Sequence, residues 1–150
     1  KGFYYIMQRF ELERLVLSSG ALASSEFGLS YALQYMSERK AFGRSLNKFQ
    51  ELRHRIAQLS SEIECLKAFN YQICKAYSDG ENVTKECAMS KLLCTELMDK
   101  VSYQTLQFLG GYGYMEEYKA ARFFRDSRIG TIGAGTSEIM REIIAKTIIN

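Results

Sequence analysis

Apolar residues recur at steps of three and four along most of the chain, which is the pattern of amphipathic α-helices. The clearest run begins at Phe49 and ends at Asp79-Gly80, where glycine can adopt the left-handed conformation that often follows a helix. Charged residues separate the apolar ones in this run, so the pattern predicts a helix with one face in a bundle core. Its inward positions are Phe49, Leu52, Ile56, Leu59, Ile63, Leu66, Ile73 and Tyr77.

Further helices are predicted after this one. Thr84 suits an N-cap, and the helix that follows it is predicted to stop at Gly110-Gly111. A short helix is predicted at residues 119–125 and a final one from about residue 137 to residue 149. The inward residues of the helix after Thr84 are predicted to be Met89, Leu93, Leu97, Val101 and Phe108.

The first helix carries two apolar stripes side by side. A helix that is apolar on so much of its surface is expected to be covered by its own bundle on one side and by another domain or subunit on the other. Together the elements predict an all-α, up-and-down four-helix bundle with a short extra helix, and the absence of proline favours long uninterrupted helices. One stripe comprises Leu12, Val16, Ala23, Phe27, Tyr31 and Tyr35, and the other comprises Leu15, Leu22, Leu29, Leu33 and Met36.

Composition narrows the possible functions. The chain has 150 residues, 47% of them hydrophobic, which is enough for one domain with a sizeable core. Its 20 basic and 17 acidic residues give a net charge of +3 and are interspersed, so a nucleic-acid interface is not expected. No apolar run reaches about 18 residues, so a membrane span is not expected either. The chain opens on Lys1 rather than methionine, from which we expect a piece of a longer protein.

The metal-ligating residue types are sparse. The four cysteines, Cys65, Cys74, Cys87 and Cys94, show no Cys-x-x-Cys spacing, and His54 is the single histidine. We therefore expect no metal site, and we expect reduced thiols packed in a helical core and a reducing compartment. His54 lies among alternating charges, which indicates a solvated helix face.

A glycine-rich stretch precedes the final predicted helix. Gly130, Gly133 and Gly135 fall within six residues, which indicates that a ligand or another part of the protein closely approaches the main chain there. Considered alone, the stretch also fits a glycine-rich cap on a bundle helix.

Three separated motifs carry the functional signal. They are ERKAFGRSLNKFQ at residues 38–50, QFLGGYGYMEEY at residues 107–118 and RDSRIGTIGAGTSEIM at residues 125–140. In this order and spacing they resemble the C-terminal helical domain of the acyl-CoA dehydrogenases, and the resemblance covers essentially the whole chain. It implies that residues 1–150 are the C-terminal bundle of a longer protein that also has a helical N-terminal domain and a middle β-domain.

The resemblance also implies a cofactor, a substrate and partners. Members of the family bind FAD, act on acyl-CoA thioesters and pass electrons to an electron-transfer flavoprotein. They usually assemble as homotetramers that are dimers of dimers, and such an assembly accounts for a first helix that is apolar on two sides. The expected location is the cytoplasm of a bacterium or the mitochondrial matrix.

The position of the catalytic base departs from the commonest family pattern. Many members carry a glutamate immediately before the Gly-Thr pair, where this chain has Ala134. The isovaleryl and long-chain members instead carry the base in a Glu-Arg pair on the first helix, which Glu13-Arg14 in FELERLVL matches. By spacing alone, Glu13 also fits an ordinary exposed charge beside Glu11.

The resemblance implies a reaction with Glu13 as its base. Abstraction of the α-proton by Glu13 is coupled to hydride transfer from the β-carbon to the flavin N5, which gives a trans-2-enoyl-CoA. A desolvated carboxylate suits the removal of this weakly acidic proton. Ala134 keeps the backbone N–H that the family uses to stabilise the enolate-like charge.

Cofactor contacts carry over motif by motif. Arg39 and Gln50 match positions that meet flavin phosphate or adenosine groups, often those of a neighbouring subunit's cofactor, and the fork of an arginine matches phosphate. Thr136 and Glu138 resemble flavin-contacting positions at the start of the final helix, where free N–H groups are available. A further flavin-contacting strip comprises Gln107, Phe108, Leu109, Gly110 and Gly111.

Residues bordering the substrate come from the first helix and the glycine stretch. The small residues Ser18, Ser19 and Gly20 hint at room for a longer or branched acyl chain. Lys119 stands where the family often has proline, and this change is expected to affect only how the short helix begins. The predicted substrate-bordering residues are Tyr4, Glu11, Leu12, Arg14, Ala134 and Gly135.

Two other functions stay open at this point. One is a relative with the same fold and different chemistry, such as a flavin monooxygenase, an acyl-CoA oxidase or a nitroalkane-type oxidase. The other is a catalytically silent helical module that keeps only the oligomer contacts. Retention of Glu13 favours the dehydrogenase, because a silent module has no need of a base.

Overall fold

The computed structural model describes residues 2–149, without the side chains of residues 3, 4, 7 and 8. Within that range the chain folds almost entirely into helices, which confirms the predicted all-α class. Four long helices are α1 (Gly2–Glu38), α2 (Gln50–Ser78), α3 (Thr84–Leu109) and α6 (Ser137–Ile149). The smaller elements are β1 (Lys40–Ala41), β2 (Arg44–Ser45), α4 (Gly111–Tyr114), α5 (Lys119–Ser127) and 3₁₀ turns at Leu46–Lys48 and Arg128–Thr131.

Helix α3 lies at the centre of the molecule. It packs against α1, α2, α5 and α6, so side chains on most of its faces contact a neighbouring helix. The main core cluster lies toward its C-terminal half, and Met140 of α6 packs against Ala88 and Leu92 near its start. The cluster comprises Leu29, Ala32, Met36, Leu59, Ile63, Leu97, Val101, Phe108, Leu109 and Ala120.

The two stripes of α1 have different environments. Leu15, Leu22, Leu29 and Met36 of one stripe are buried, while Leu33 is 41% exposed. In the other stripe Leu12, Val16 and Phe27 remain exposed. An exposed apolar row of this kind is typical of an interaction surface. The expected burial of one stripe in the bundle is therefore confirmed, and the other stripe is available to cover a further domain or subunit.

Three local predictions are wrong. Helix α3 begins at Thr84 itself, because the side chain of Asn82 accepts the Thr84 N–H at 3.2 Å and Thr84 is not the cap. Leu93 is 44% exposed, since it lies beside Cys65 and Leu66 in a surface groove between α2 and α3. Cys65 is exposed on α2 rather than packed in the core, whereas Cys87 and Cys94 are buried. His54 is exposed, as expected.

A small hairpin between α1 and α2 was not predicted from the sequence. Ala41 pairs with Arg44 across a two-residue turn in which Phe42 and Gly43 have φ values of 50° and 78°. Two positive φ values are typical of a type I′ turn, which glycine favours at its second position. The hairpin also orients the end of α1, because the Leu46 N–H donates to the Arg39 carbonyl at 2.9 Å.

The break between α4 and α5 fits the replacement of proline by Lys119. Lys119 is the first residue of α5, a position at which a backbone N–H has no helical acceptor. The lysine also has a contact that proline could not make, because its ammonium lies 5.6 Å from the centre of the Phe27 ring of α1. Among the described helices, none combines the length and hydropathy that crossing a bilayer requires.

Two glycines of α1 provide a test of this packing. A Cβ added at Gly28 would lie 2.3 Å from Cε1 of Phe123, whereas one added at Gly20 would meet no atom within 4 Å. Alanine raises helix propensity by about 1 kcal/mol at either position, and overpacking costs about 1–3 kcal/mol at Gly28 alone. We expect Gly20→Ala to raise the free energy of unfolding in urea, and Gly28→Ala to lie about 1–3 kcal/mol below Gly20→Ala. Equal stability of the two variants would contradict the α1–α5 contact.

Candidate functional site

A cleft forms where the ends of α1 and α3 meet the hairpin and α4. It has a volume of about 570 Å³ and includes Arg39 together with residues 107–111. Six predicted cofactor residues from two distant motifs are thus neighbours in space. Phe108 and Leu109 belong mainly to the core behind the cleft. The lining residues are Tyr35, Arg39, Leu46, Gln107, Phe108, Leu109, Gly110, Gly111, Tyr112 and Met115.

The cleft combines a cation with aromatic surfaces. The guanidinium carbon of Arg39 lies 5.5 Å from the centre of the Tyr112 ring, and that ring lies 5.3 Å from the ring of Tyr118. Burial raises the pKa of Tyr35, against an opposing effect of Arg39, so its hydroxyl stays protonated and can donate. An arginine beside a pair of tyrosine rings can bind a ligand that carries both phosphate and a planar ring.

Backbone at the cleft is left open by two glycines. Gly110 has φ 59° and ψ −134°, a conformation that L-residues rarely adopt. A Cβ added at Gly110 or Gly111 would meet no atom of the chain within 4 Å. A ligand can therefore approach the main chain directly at this point.

Gln50 lies outside the cleft. It is the first residue of α2, and its amide nitrogen lies 3.4 Å from Nε2 of His54 on the exposed side of the helix. The structure thus does not bring Gln50 together with the other predicted cofactor residues of this chain.

The glycine stretch forms a tight turn between the 3₁₀ turn at Arg128–Thr131 and α6. Ala134 and Gly135 both have positive φ, at 52° and 96°. The Gly133 N–H donates to the Ile129 carbonyl at 2.8 Å, which closes the start of the turn. Within the described residues the Ala134 N–H has no backbone acceptor. A free donor is therefore present at the position where the resemblance implies a contact with the thioester.

The three glycines of this stretch have different surroundings. A Cβ at Gly130 would lie 2.6 Å from Cε of Met98, so another part of the protein, helix α3, approaches the backbone there. A Cβ at Gly135 would lie 2.8 Å from Cε of Met140, and the positive φ further favours glycine. A Cβ added at Gly133 would be less crowded, because its nearest neighbour, the Ile129 carbonyl oxygen, would lie 3.4 Å away.

The start of α6 forms a second, polar cleft of about 300 Å³. Thr136 caps the helix, since its hydroxyl oxygen accepts the Ile139 N–H at 3.4 Å. The Glu138 carboxylate accepts from its own backbone N–H and from the Thr136 hydroxyl, which lowers its pKa. Two buried atoms here, Oδ1 of Asp99 and Oγ of Ser137, have no hydrogen-bond partner among the described residues. Unpartnered buried polar atoms are rare and mark a place where a ligand or water can bind.

The Glu13-Arg14 pair is divided between two faces of α1. Glu13 is exposed, whereas Arg14 is only 5% exposed and lies over the Phe10 ring at 5.5 Å. Adjacent residues of a helix point in directions about 100° apart, which explains this division. Burial lowers the pKa of Arg14, against opposing effects of Cys87, Glu11 and Glu13.

Other predicted substrate residues surround this pair. The Glu11 carboxylate accepts a hydrogen bond from the Thr84 hydroxyl, and Leu12 is exposed next to Glu13. The side chain of Tyr4 lies outside the described residues, so its predicted role stays a prediction. The Ser18 hydroxyl donates to the Arg14 carbonyl and the Ser19 hydroxyl to the Leu15 carbonyl, whereas a Cβ added at Gly20 would meet no atom within 4 Å.

Lys91 connects α3 to the glycine turn, and the sequence did not predict this role. Its side chain is fully buried, and Nζ donates to the Gly135 carbonyl at 2.6 Å. Burial lowers the pKa of Lys91, and repulsion from Arg14 acts in the same direction, against Glu96 and Glu138. The signal was present, since Lys91 falls four residues after Cys87 and seven before Met98 on the inward face. Within the described part of the chain, no three His, Cys, Asp or Glu side chains could share a metal ion.

Comparison with known proteins is consistent across sequence and structure. The family model described as acyl-CoA dehydrogenase, C-terminal domain, matches residues 1–149. The mitochondrial long-chain specific acyl-CoA dehydrogenase of Sus scrofa is 37% identical over 150 residues, which are 100% of this chain and 35% of that protein. The mitochondrial isovaleryl-CoA dehydrogenase of Solanum tuberosum is 36% identical over 148 residues, which are 99% of this chain and 36% of that protein.

A solved structure has the same fold. The crystal structure of acyl-CoA dehydrogenase from Geobacillus kaustophilus superimposes with a TM-score of 0.96 at 37% identity, covering 97% of this chain and 38% of that one. The chain therefore spans little more than a third of the length of the proteins that it matches.

Buried thiols near Arg14 provide a test of this part of the structure. Burial raises the pKa of Cys87 to about 12, although Arg14 opposes the effect, and raises the pKa of Cys94 to about 11. At pH 8 about one Cys87 thiol in ten thousand is then ionised, and the thiolate is the reactive form. We expect Cys65 of the 150-residue chain to react fastest with a thiol reagent, and Cys87 and Cys94 to react only after unfolding. A Cys65→Ser variant should lose the fastest phase, and persistence of that phase would show that a buried thiol is accessible.

Proposed function

The chain belongs to the acyl-CoA dehydrogenase family, whose C-terminal domain it matches, and we propose that it acts as part of an FAD-dependent enzyme that converts an acyl-CoA thioester to the trans-2-enoyl-CoA. The observation that carries this proposal is the pairing of an exposed Glu13 on α1 with a glycine turn that offers a free Ala134 N–H. Lys91 is common to the surroundings of both, because Arg14 repels its ammonium group and that group donates to the Gly135 carbonyl.

Glu13 is the proposed base. Ala134 carries only a methyl group, so the turn itself provides no proton acceptor, and Glu13 is the exposed carboxylate next to the buried Arg14. Glu11 is a weaker candidate, since its carboxylate already accepts from Thr84. Two similar proteins are named long-chain specific and isovaleryl-CoA dehydrogenase. These are the members for which the resemblance implies a base on this helix, which supports the same choice.

The proposed reaction divides the work between these groups. The Glu13 carboxylate takes the α-proton, and the C–H bond electrons form the new carbon–carbon double bond. The Ala134 N–H donates to the thioester oxygen and stabilises the negative charge that develops there as the proton leaves. FAD, when bound, supplies the acceptor for the hydride of the β-carbon. The apolar face with Leu12, Val16 and Gly20 would exclude water from the acyl chain.

The two clefts fit FAD in different ways. The Arg39 cleft offers a guanidinium, tyrosine rings and open glycine backbone, which suit phosphate and adenine groups. The cleft at Thr136 and Glu138 offers a helix N-terminus and the unpartnered Ser137 hydroxyl, which suit ribityl or phosphate oxygens. We propose that one cleft binds the chain's own cofactor and the other a neighbouring copy's. The exposed stripe of α1 supports such a homo-oligomer, with a dimer of dimers as the expected form.

Partner and location complete the proposal. An electron-transfer flavoprotein would reoxidise the reduced flavin in a bacterial cytoplasm or a mitochondrial matrix. The free cysteines support a reducing compartment, and two similar proteins are named mitochondrial.

Replacement of the proposed base tests the function directly. We expect several acyl-CoA chain lengths to bleach the flavin of the full-length protein anaerobically, and Glu13→Gln to slow this step by about 10²–10⁴-fold, because Gln cannot accept the proton. Glu26→Gln is the matched control, since Glu26 lies on the same helix and pairs with the exposed Lys67. Equal bleaching by Glu13→Gln and wild type would place the base elsewhere. If no acyl-CoA reduces the wild type, oxygen uptake by the chemically reduced flavin separates an oxidase from a silent module.

Replacement of Arg39 tests the cofactor cleft. A charge-assisted contact to phosphate contributes about 1.5–3 kcal/mol, so Arg39→Ala should weaken FAD binding about tenfold or more. Arg122→Ala is the control, because Arg122 is exposed and pairs only with Asp126 on its own helix. The measurement is the FAD dissociation constant of the full-length protein from flavin fluorescence. An unchanged constant in Arg39→Ala would mean that the cleft does not bind the cofactor phosphate.

A further inference from the structure

Lys91 is the largest fully buried side chain of the structure, and its burial calls for an explanation. An ammonium group is costly to bury unless it is paired. Within the described residues its single hydrogen bond runs from Nζ to the Gly135 carbonyl at 2.6 Å. Arg14 of α1 repels it, and Glu96 of α3 and Glu138 of α6 attract it without contact. The lysine therefore does not neutralise an adjacent carboxylate, and what it holds is a piece of backbone.

The backbone that Lys91 holds is in an unfavourable conformation. Ala134 has φ 52°, in the left-handed region that alanine rarely adopts, and Gly135 follows at φ 96°. The turn is closed at its start by the bond from Gly133 N–H to the Ile129 carbonyl. At its end it enters α6, whose first turn begins with the bond from Met140 N–H to the Thr136 carbonyl. Lys91 binds between these two points, at the carbonyl of Gly135, the residue directly after Ala134.

We propose that Lys91 is a positioning residue, which holds the Gly135 carbonyl and thereby keeps the Ala134 N–H directed at the thioester oxygen. The role in catalysis rests on the proposed function. The clamp, by which we mean the hydrogen bond from Lys91 to the Gly135 carbonyl, does not rest on that function, because it concerns only the stability of the turn. A donor displaced by about 1 Å can cost about a hundredfold in rate, so a group that holds it affects the chemical step without touching the substrate.

Hydrogen–deuterium exchange tests the clamp without reference to activity. In the full-length flavoprotein, Lys91→Met keeps most of the side-chain volume and removes the donor. The peptide that covers residues 130–137 should then exchange about tenfold faster than in wild type, because its opening becomes less costly. Lys100→Met is the matched control, since Lys100 lies on the same helix with its ammonium exposed and paired with Glu62. Equal exchange of this peptide in Lys91→Met and wild type would overturn the proposal.

Exchange of the substrate α-proton tests the catalytic consequence. The probe is 3,3-dimethylbutanoyl-CoA, whose β-carbon carries no hydrogen, so that only proton removal and return can occur. In deuterated water, Lys91→Met should exchange the α-proton about 10–100-fold more slowly per bound flavin than wild type, with the dissociation constant of the thioester within about threefold. A merely structural role would lower the melting temperature and flavin content and leave the exchange rate per bound flavin unchanged, and that result would overturn the proposal.

The outcomes separate this inference from the proposed function. If wild type neither exchanges the α-proton nor is reduced by any acyl-CoA, the proposed function fails, while the peptide exchange still decides the clamp. Lys91→Gln is measured in parallel, because its uncharged amide is shorter and does not reach Gly135 as an ammonium does. If Lys91→Met fails to fold, slower α-proton exchange in Lys91→Gln supports the proposal, and an unchanged rate overturns it.

Discussion

The burial of α3 among the other helices is the constraint on which the rest of the structure depends. A helix enclosed on most sides must find hydrogen-bond partners for most of the polar groups that it carries inward. Ser90 donates to the Asn70 side chain at 2.8 Å, and Asn70 in turn donates to Ser19 at 2.9 Å, which joins α1, α2 and α3 in one network. Farther along, Ser102 and Ser127 share a hydrogen bond of 2.8 Å that fixes α5 on α3. Such contacts permit one relative placement of the helices, because a shift of any one of them would leave buried donors without acceptors.

Both parts of the candidate site follow from the position of α3. Residues 107–111 at its C-terminal end line one cleft together with Arg39. Arg39 follows α1 directly, and its carbonyl is held by the Leu46 N–H just after the hairpin. Near the start of α3, Lys91 reaches the glycine turn, and along its middle Asp99 contributes to the cleft at the start of α6. A single rigid element therefore sets the distance between the groups proposed to bind cofactor and the groups proposed to bind substrate.

Much of this arrangement could be predicted from periodicity, and the exceptions have physical causes. Long helices repeat their apolar pattern many times, so the start of α2 after Phe49 and its end at Asp79-Gly80 were evident. The strands of the hairpin have two residues each, too few for any period, and its turn depends on positive φ at Phe42. Leu93 was wrongly predicted to be buried because periodicity does not show the surface groove between α2 and α3 in which it lies. Lys91 was not predicted to be buried because lysine is usually exposed, although its spacing from the buried Cys87 and Met98 places it on the inward face of α3.

The division of Glu13 and Arg14 between two faces of one helix bears on the proposed role of Glu13 as the base. If the two side chains paired directly, the guanidinium would hold the carboxylate and reduce its basicity. Instead Arg14 lies inside the bundle, and within the described residues no ion pair joins it to Glu13. Arg14 and Lys91 are thus two buried cations, and Lys91 binds the carbonyl of Gly135, the residue after Ala134. Their charges act through protein of low polarisability, where electrostatic effects are less screened than in water. In the proposed reaction such a field would stabilise negative charge on the thioester oxygen as Glu13 takes the proton.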